Sequence, residues 1–404
     1  MGYEWAAGWQ NQQFLREYQI LELINIFAKV SEYDTPYSET FLNKNIGCDL
    51  KTNSEAYLKW AQHYFGSYYD CGKEDRKAGI RYTVSAIIDE TWYGLILDKV
   101  RKLPSVEIDY HHRRKAQKAE LENGIQIIVY EKYHTLTVVD LNRRMFCLIT
   151  DGKHPEAQFE PTRAIREIFT RELEKQGFFL MHAAVVEKGG GAYLFCGREG
   201  AGKTTTILSL LEKGCNLIAN DKAYIGIENN RISVIGWPGA VSITLQTMVS
   251  FSNLRTILPE MRNKKYPQNQ LKAETDLCNF EAIKNNTKEK VDLTTSEAAS
   301  LFQVKVVKES FLNKMIRIER SEDLSGIEPL NKEFSCSVLK DSFFYPDHAI
   351  YPDWFNMRNH SQASSDFSKL LDKITDVLPI LRLTRAEGLS IEEGLKVVND
   401  CMMA

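Results

Sequence analysis

The stretch Gly197-Arg-Glu-Gly-Ala-Gly-Lys-Thr204 fits the spacing G-x-x-x-x-G-K-[ST], which is typical of a phosphate-binding loop. Its glycines allow the backbone to curl until successive N–H groups point at one anion. Lys203 can then reach the β- and γ-phosphates, while the Thr204 hydroxyl binds Mg²⁺ and the N-terminus of the next helix faces the phosphates. We therefore expect a nucleotide to bind here with Mg²⁺, through Gly197, Gly200, Ala201, Gly202, Lys203, Thr204 and Thr205.

The sequence on both sides of this loop has the pattern that such a motif requires. The apolar run Ala192–Cys196 follows three glycines and predicts a buried strand. After the loop, Thr205–Lys213 places apolar residues at helical spacing, and Gly214 ends the predicted helix. A glycine turn that merely ends a strand is the alternative interpretation.

Composition narrows the class of protein. A chain of 404 residues exceeds one ordinary domain, so we expect two or three. The net charge of −3 gives no basic surplus, which argues against nucleic acid as the main partner. The eight cysteines contain no C-x-x-C pair, so neither a zinc site nor a disulfide framework is indicated. No stretch predicts a signal peptide or a membrane span, and we expect a cytoplasmic protein.

Three segments are predicted along the chain. Residues 1–52 form an N-terminal helical segment, with an apolar helical face over Phe14–Val30 that packs on the main body or on a partner. Residues 53–160 form a small α/β domain with an antiparallel sheet, and residues 161–404 form the domain that contains the loop. The small domain has a helix from Asn53 to Tyr69 and β-rich runs at Arg81–Ile88, Ile125–Glu131, Thr135–Asp140 and Arg144–Thr150. In the third segment the sequence predicts a helix over Thr162–Gly177, a strand in the continuous apolar run Phe178–Val186 and a closing helix over Ser390–Met402.

Two basic stretches of the sequence have more than one possible function. The cluster His111-His112-Arg113-Arg114-Lys115 is compatible with a metal or phosphate site, but a solvated basic loop is favoured because neighbouring side chains of an extended segment point apart. Lysines and arginines are also spread through Leu254–Lys290, which predicts a mobile insert. That insert is either a substrate-binding lid or a solvated surface loop.

The order of three motifs resembles the catalytic domain of HPr kinase/phosphorylase. The motifs are Met181-His-Ala-Ala184, the loop Gly197–Thr204, and Leu217-Ile-Ala-Asn-Asp221. Gly236–Ile243 and Val377–Leu383 extend the resemblance, which covers about residues 161–404. It implies an α/β P-loop kinase domain with a mixed, strongly curved sheet, a fold shared with phosphoenolpyruvate carboxykinase, here preceded by a small α/β N-terminal domain. Residues 1–150 resemble no family that can be specified.

The resemblance also implies roles for particular residues. The family has an acidic pair in base and metal roles, whereas this chain has Asn220-Asp221, so one of the two carboxylates is missing. The expected catalytic residues are Asp221, His182 and Lys203, and the expected Mg²⁺ ligands are Thr204 and Asp221. His182 is equally well explained as a core histidine on an apolar strand. The missing carboxylate weakens any inference to the reverse, phosphorolytic reaction.

The expected function is transfer of the γ-phosphate of ATP to a hydroxyl group. The resemblance favours a Ser or Thr of a peptide or protein acceptor, such as the precursor peptide of a natural product. A small-molecule hydroxyl acceptor and a nucleotide-binding scaffold without transfer activity are the alternatives. The choice between ATP and GTP, the identity of the acceptor and the oligomeric state stay open at this stage.

Overall fold

The computed structural model describes residues 22–23, 25, 27, 29–30, 32–72, 78–110, 114–121, 124–263, 271–322, 326–346, 348, 351–386, 398 and 402. The chain divides into two compact units. The first unit comprises the described residues within 1–63, 70–169 and 347–357, and the second unit those within 64–69, 170–346 and 358–404. The N-terminal helix predicted over 14–30, the His111-His112-Arg113 triplet and the closing helix predicted over 390–402 lie wholly or mostly outside the described residues.

The first unit is built on a mixed nine-stranded sheet in the order β3-β1-β2-β4-β9-β8-β7-β6-β5. Its strands are β1 (Tyr37–Asn43), β2 (Ile46–Thr52), β3 (Asp70–Cys71), β4 (Ile80–Ile88), β5 (Val106–Tyr110), β6 (Arg114–Glu120), β7 (Ile125–Tyr130), β8 (Thr135–Asp140) and β9 (Met145–Thr150). Two helices, α1 (Glu55–Phe65) and α2 (Glu90–Val100), accompany it. Short 3-10 turns cover Glu131–Tyr133 and Pro155–Phe159.

Several predictions for this region correspond to elements of the first unit. The helix and the four β-rich runs appear as α1, β4, β7, β8 and β9. The sheet is mixed rather than wholly antiparallel, because β4 pairs in parallel with both β2 and β9. Strands β1 and β2 fall within residues 1–52, where the sequence predicts only helix. Their alternation of polar and apolar residues is short, and the pairing of β2 with β4 is a long-range interaction that local pattern does not reveal.

One boundary between the units along the chain falls between residues 169 and 170, inside helix α3 (Glu160–Lys175). This helix is predicted over Thr162–Gly177. Its charged residues are unusually buried: Arg171 is fully covered and ion-paired to Glu174, which also pairs with Arg358. A buried charge of this kind requires such partners, since an unpaired one would be very costly.

The second unit has another mixed sheet, in the order β10-β14-β15-β18-β12-β11-β13, extended at β18 by β20 and β19. The strands are β10 (Phe179–His182), β11 (Ala184–Lys188), β12 (Gly191–Cys196), β13 (Asn216–Ala219), β14 (Lys222–Glu228), β15 (Arg231–Gly236), β18 (Glu309–Ser321), β19 (Gly326–Pro329) and β20 (Ile380–Ala386). Strands β16 (Ala240–Thr244) and β17 (Lys290–Thr294) form a separate pair. Strand β18 is parallel to β12 and to β20.

Helices lie on both faces of this second sheet. They are α4 (Lys203–Glu212), α5 (Leu245–Ser250), α6 (Ser252–Arg255), α7 (Phe280–Ile283), α8 (Thr295–Leu301), α9 (Lys332–Ser342) and α10 (His360–Val377), with a 3-10 turn at Leu258–Asn263. One apolar core surrounds α4, and the other contains residues of α9 and α10. Consecutive residues of β11 alternate between the two cores, as the two-residue period of a strand requires.

Two predictions for the second unit need correction. The apolar run Phe178–Val186 is not one strand, because β10 pairs with β14 whereas β11 pairs with β12 and β13. The described parts of 254–290 are not an open loop. Leu258, Met261 and Leu277 are buried in the core around α4, which apolar residues of a solvated insert would not be.

The described part of the chain contains no helix that is both long and apolar enough to cross a bilayer. Over the same residues, no cluster of three or more His, Cys, Asp or Glu side chains has the arrangement of a metal site.

Candidate functional site

The predicted phosphate-binding loop lies between β12 and α4, as the flanking sequence indicates. Gly197, Gly200 and Gly202 have φ angles of 147°, 78° and 97°, a region that favours glycine. A Cβ on Gly197 would lie only 2.4 Å from the carbonyl oxygen of Ile318 on β18. The loop therefore needs glycine at its first position for both conformation and space, and Gly202 leads directly into the first turn of α4.

Lys203 is buried inside this loop. Its Nζ donates hydrogen bonds to the carbonyl oxygens of Gly197 at 2.8 Å and Arg198 at 3.2 Å. Burial lowers the pKa of this lysine, and the negative charge of Asp221 opposes that shift without cancelling it. The ammonium group is thus held by weak neutral acceptors at the start of α4, where a phosphate oxygen would be a much stronger partner. Thr204 and Thr205 follow in the same first helical turn, each half-buried.

Asp221 lies at the junction between β13 and β14, beside the end of β10. His182 and Lys222 are directly paired across β10 and β14, so both side chains lie on one face of the sheet next to Asp221. His182 Nε2 is 3.3 Å from Asp221 Oδ1, and Lys222 Nζ forms an ion pair with Oδ2. In addition, the Ala183 N–H donates to the Asp221 carbonyl at 3.0 Å, which fixes the backbone of the two segments together.

The pKa of the Asp221 carboxyl group lies well below its usual range. Burial acts to raise it, but Lys222 and His182 together outweigh this effect because both interact favourably with the carboxylate. The side chain nevertheless remains 40% exposed. Asp221 is therefore an ionised, accessible carboxylate that is held in one orientation.

Asn220 precedes Asp221 and has a different environment. It is 9% exposed, and its Oδ1 atom is buried without a hydrogen-bond partner among the described residues. An unsatisfied amide oxygen costs less than an unsatisfied carboxylate at such a position, because no charge is desolvated. The structure thus brings only one carboxylate of the expected pair to this site.

Lys222 is the functional candidate at this position that sequence reasoning missed. Its ammonium group lies 4.8 Å from the ring centre of Trp237 and 5.5 Å from that of Phe344. These distances are typical of cation–π contacts, which hold a cation without neutralising it. The sequence signal that could have identified it is a single lysine at the start of the mostly apolar strand Lys222–Glu228.

A cavity of about 610 Å³ adjoins the other side of the loop. Its lining consists of Arg198, Glu199, Gly200 and Ala201 from the loop and Arg317, Ile318, Glu319 and Arg320 from β18. Because β18 runs parallel to β12, its carboxyl end extends past the loop on the side where α/β sheets bind ligands. No pattern in the sequence marked Arg317–Arg320 in advance, since the pairing of β18 with β12 joins segments more than 100 residues apart.

Comparisons with known proteins give a limited result. No protein-family model matches the chain, and no curated protein matches it. Among solved structures, the HPr(Ser) kinase/phosphatase from Coxiella burnetii matches over 55% of this chain and 96% of that chain, with 10% identity and a TM-score of 0.25. The resemblance is distant. At this level of similarity it does not define the fold type or activity of this chain.

Proposed function

We propose that this chain is an ATP-dependent phosphotransferase that moves the γ-phosphate of ATP to a hydroxyl group. The observation that carries the proposal is the loop itself. Its three glycines adopt backbone conformations that favour glycine, and Lys203 is buried at the start of α4. Loops of this geometry bind the phosphates of nucleotides through backbone N–H groups and the helix N-terminus. The distant resemblance to a kinase/phosphatase agrees with the proposal but adds no weight to it.

Each residue of the loop would have a defined task. The loop N–H groups and Lys203 would bind the β- and γ-phosphates, exchanging the carbonyl acceptors of Gly197 and Arg198 for charged oxygens. Thr204 and Asp221 supply hydroxyl and carboxylate oxygens, the donors that Mg²⁺ prefers, and a magnesium ion at such sites is completed by substrate phosphates and water. When bound, Mg²⁺ would neutralise charge on the transferring phosphoryl group.

Asp221 would orient the acceptor. In the transfer step the acceptor oxygen forms a bond to the γ-phosphorus while the bond from that phosphorus to the β–γ bridging oxygen breaks, which releases ADP. The hydroxyl proton would leave late in such a loose transition state and pass through the Asp221 carboxylate to solvent water. Because its pKa is depressed, Asp221 is a weak base, but it stays ionised and can accept a hydrogen bond from the hydroxyl group, so alignment of the hydroxyl is its larger contribution.

For the acceptor, we propose a Ser or Thr of a peptide or protein, in the cytoplasm. A small-molecule alcohol is the alternative within the same chemistry. ATP is proposed over GTP only as the commoner phosphate donor, and direct competition between the two nucleotides would decide the point.

One observation favours a second candidate function. Lys222 already pairs with Asp221, so the charge that a metal ion would compensate is partly compensated by the protein. With Asn220 replacing a carboxylate, this arrangement would suit a nucleotide-binding module that does not transfer phosphate.

An assay with radiolabelled ATP and Mg²⁺ distinguishes the two functions. We expect the parent chain to release ADP and to label itself or an added Ser/Thr peptide pool, and Lys203→Ala to do neither. Tight ATP binding without ADP release would favour the module instead. Failure of the parent chain to bind ATP would refute both.

A further inference from the structure

Two arginines stand side by side at the carboxyl ends of neighbouring parallel strands. Arg320 on β18 is directly paired in register with Arg385 on β20. Two residues earlier on each strand, Ile318 and Leu383 are buried in the core around α4. Because side chains alternate along a strand, Arg320 and Arg385 lie on that same face of the sheet.

Arg385 reaches the beginning of α4. Its Nη1 donates a hydrogen bond to Thr206 Oγ1 at 3.2 Å, one helical turn from the loop. A Cβ on Gly202 would have this same Nη1 atom as its nearest neighbour, at 3.5 Å. The guanidinium group is therefore placed against the phosphate-binding loop by a packed strand and not by a flexible segment.

The pair has no acidic counterpart within the described part of the chain. Neither Arg320 nor Arg385 forms an ion pair with a carboxylate there. Burial lowers the pKa of Arg385, and the positive charge of Arg320 lowers it further. Like charges directly opposite each other on adjacent strands are destabilising, so the isolated protein carries an unfavourable arrangement.

The opposite face of the same two strands shows the contrast. Arg317 is 2.5 Å from Glu319, and Arg382 lies 3.4 Å from Glu319 and 2.6 Å from Glu328. Every arginine on that face has a carboxylate partner, whereas the two arginines that face the loop have none among the described residues. Arg320 also lines the cavity of about 610 Å³ that adjoins the loop.

We propose that Arg320 and Arg385 bind a phosphate group of the nucleotide, on the β18 side of the loop. This inference rests on the proposed nucleotide-binding function and names two phosphate-binding residues for it. A guanidinium group presents a planar set of donors that matches phosphate oxygens, and the two together with the helix N-terminus surround one anion. The bound phosphate relieves the repulsion between the two arginines.

The test uses equilibrium binding of ATP and of inorganic tripolyphosphate to the full chain. Arg320→Met and Arg385→Met should each weaken the binding of both ligands by about tenfold or more, the scale of one charge-assisted hydrogen bond. Arg385→Lys should recover only part of the loss, because an ammonium group lacks the planar donor set. Arg231→Met is the matched control, since Arg231 stacks on Phe311 away from the loop and should leave both affinities unchanged.

Thermal unfolding without ligand supplies a readout that a merely structural role would not produce. Removing one of two repelling charges should leave the ligand-free unfolding temperature of Arg385→Met equal to or above that of the parent, while its rise on adding ATP becomes smaller. Loss of ligand-free stability with parental affinities would overturn the proposal and make the residue structural.

Further outcomes separate this inference from the kinase proposal. Parental affinity for both ligands in both methionine variants would overturn the inference and leave the kinase proposal standing. Weakened binding of an acidic acceptor peptide alone would also overturn it, because the pair would then belong to the acceptor. If the parent binds ATP through these arginines but transfers no phosphate, the inference stands and the kinase proposal fails.

Discussion

Replacing Asp221 by Asn removes the negative charge of the candidate site and preserves the size of the side chain. In the parent this carboxylate pairs with Lys222 and lies 3.3 Å from His182 Nε2. The loop proposed to bind the phosphates is formed by other residues, so its contacts with a bound nucleotide should remain. We therefore expect the variant to keep most of its ATP affinity and to lose phosphate transfer.

The size of the kinetic effect follows from the state of the carboxyl group. Losing a positioned acid-base group slows a reaction by about 10²- to 10⁴-fold. Because the pKa of Asp221 lies far below its usual range, this residue contributes through alignment more than through proton abstraction, which places it at the lower end. We expect a rate loss of about 10²-fold, or about 2.7 kcal/mol of activation free energy.

The same substitution should also lower stability in a pH-dependent way. Lys222 is 9% exposed and Asp221 is 40% exposed, so their pair lies between a surface pair and a buried one, and losing it should cost about 1–2 kcal/mol. A depressed folded-state pKa means that the carboxylate stabilises the protein above its unfolded-state pKa of about 4, and that this contribution is lost as the pH falls through the folded-state value. The stability difference between parent and variant should therefore shrink in acid.

The assay compares transfer rates at saturating ATP and Mg²⁺ with ATP affinities measured separately. Asn220→Asp is the matched variant, since it adds a carboxylate at the neighbouring position and should raise the proton affinity of one of the two groups. That change should introduce an acid limb into its pH–rate profile which the parent lacks. A parental transfer rate in Asp221→Asn would refute the role assigned to this residue, whatever its effect on stability.

Three further substitutions test the loop and the packing of the second unit. Lys203→Ala should reduce ADP release to background with an unchanged circular dichroism spectrum, because among the described residues the side chain bonds to the loop carbonyls of Gly197 and Arg198 and to no core group. Turnover at the parental rate would exclude the loop as the nucleotide site. Gly197→Ala should weaken ATP binding by about tenfold or more in a titration, because the added Cβ would lie 2.4 Å from the Ile318 carbonyl oxygen and the loop would have to shift. An unchanged ATP affinity would contradict this close approach. Tyr68→Phe should lower the free energy of unfolding by about 1 kcal/mol in urea denaturation, because the hydroxyl group donates a hydrogen bond to the buried carbonyl oxygen of Ile218 at 2.9 Å. An unchanged urea midpoint would show that this bond does not contribute to stability.

The elements that sequence reasoning predicted well are those whose cause is local. Strand β12, the loop and α4 are adjacent in the chain, and each has its own signal in glycine positions, apolar spacing or a terminating residue. Strand β8 has the same limits in sequence and structure, since its β-branched run ends in a turn at Leu141-Asn142. The second unit also takes in residues 64–69, which the sequence assigns to the small domain, because the bonds of Tyr68 join segments 150 or more residues apart.

By itself, the sequence predicted a phosphate-binding loop at Gly197–Thr204 and one acidic residue, Asp221, in place of the expected acidic pair after its helix. Only the tertiary structure decided what surrounds them. The pairing of β10 with β14 places His182 and Lys222 beside Asp221, and the pairing of β18 with β20 places Arg320 beside Arg385 at the start of α4. A loop conformation depends on the φ and ψ preferences of consecutive residues, so the sequence predicts it locally. The charge around a site depends instead on the register between strands that are distant in the chain, and that register is set by burial of the whole core.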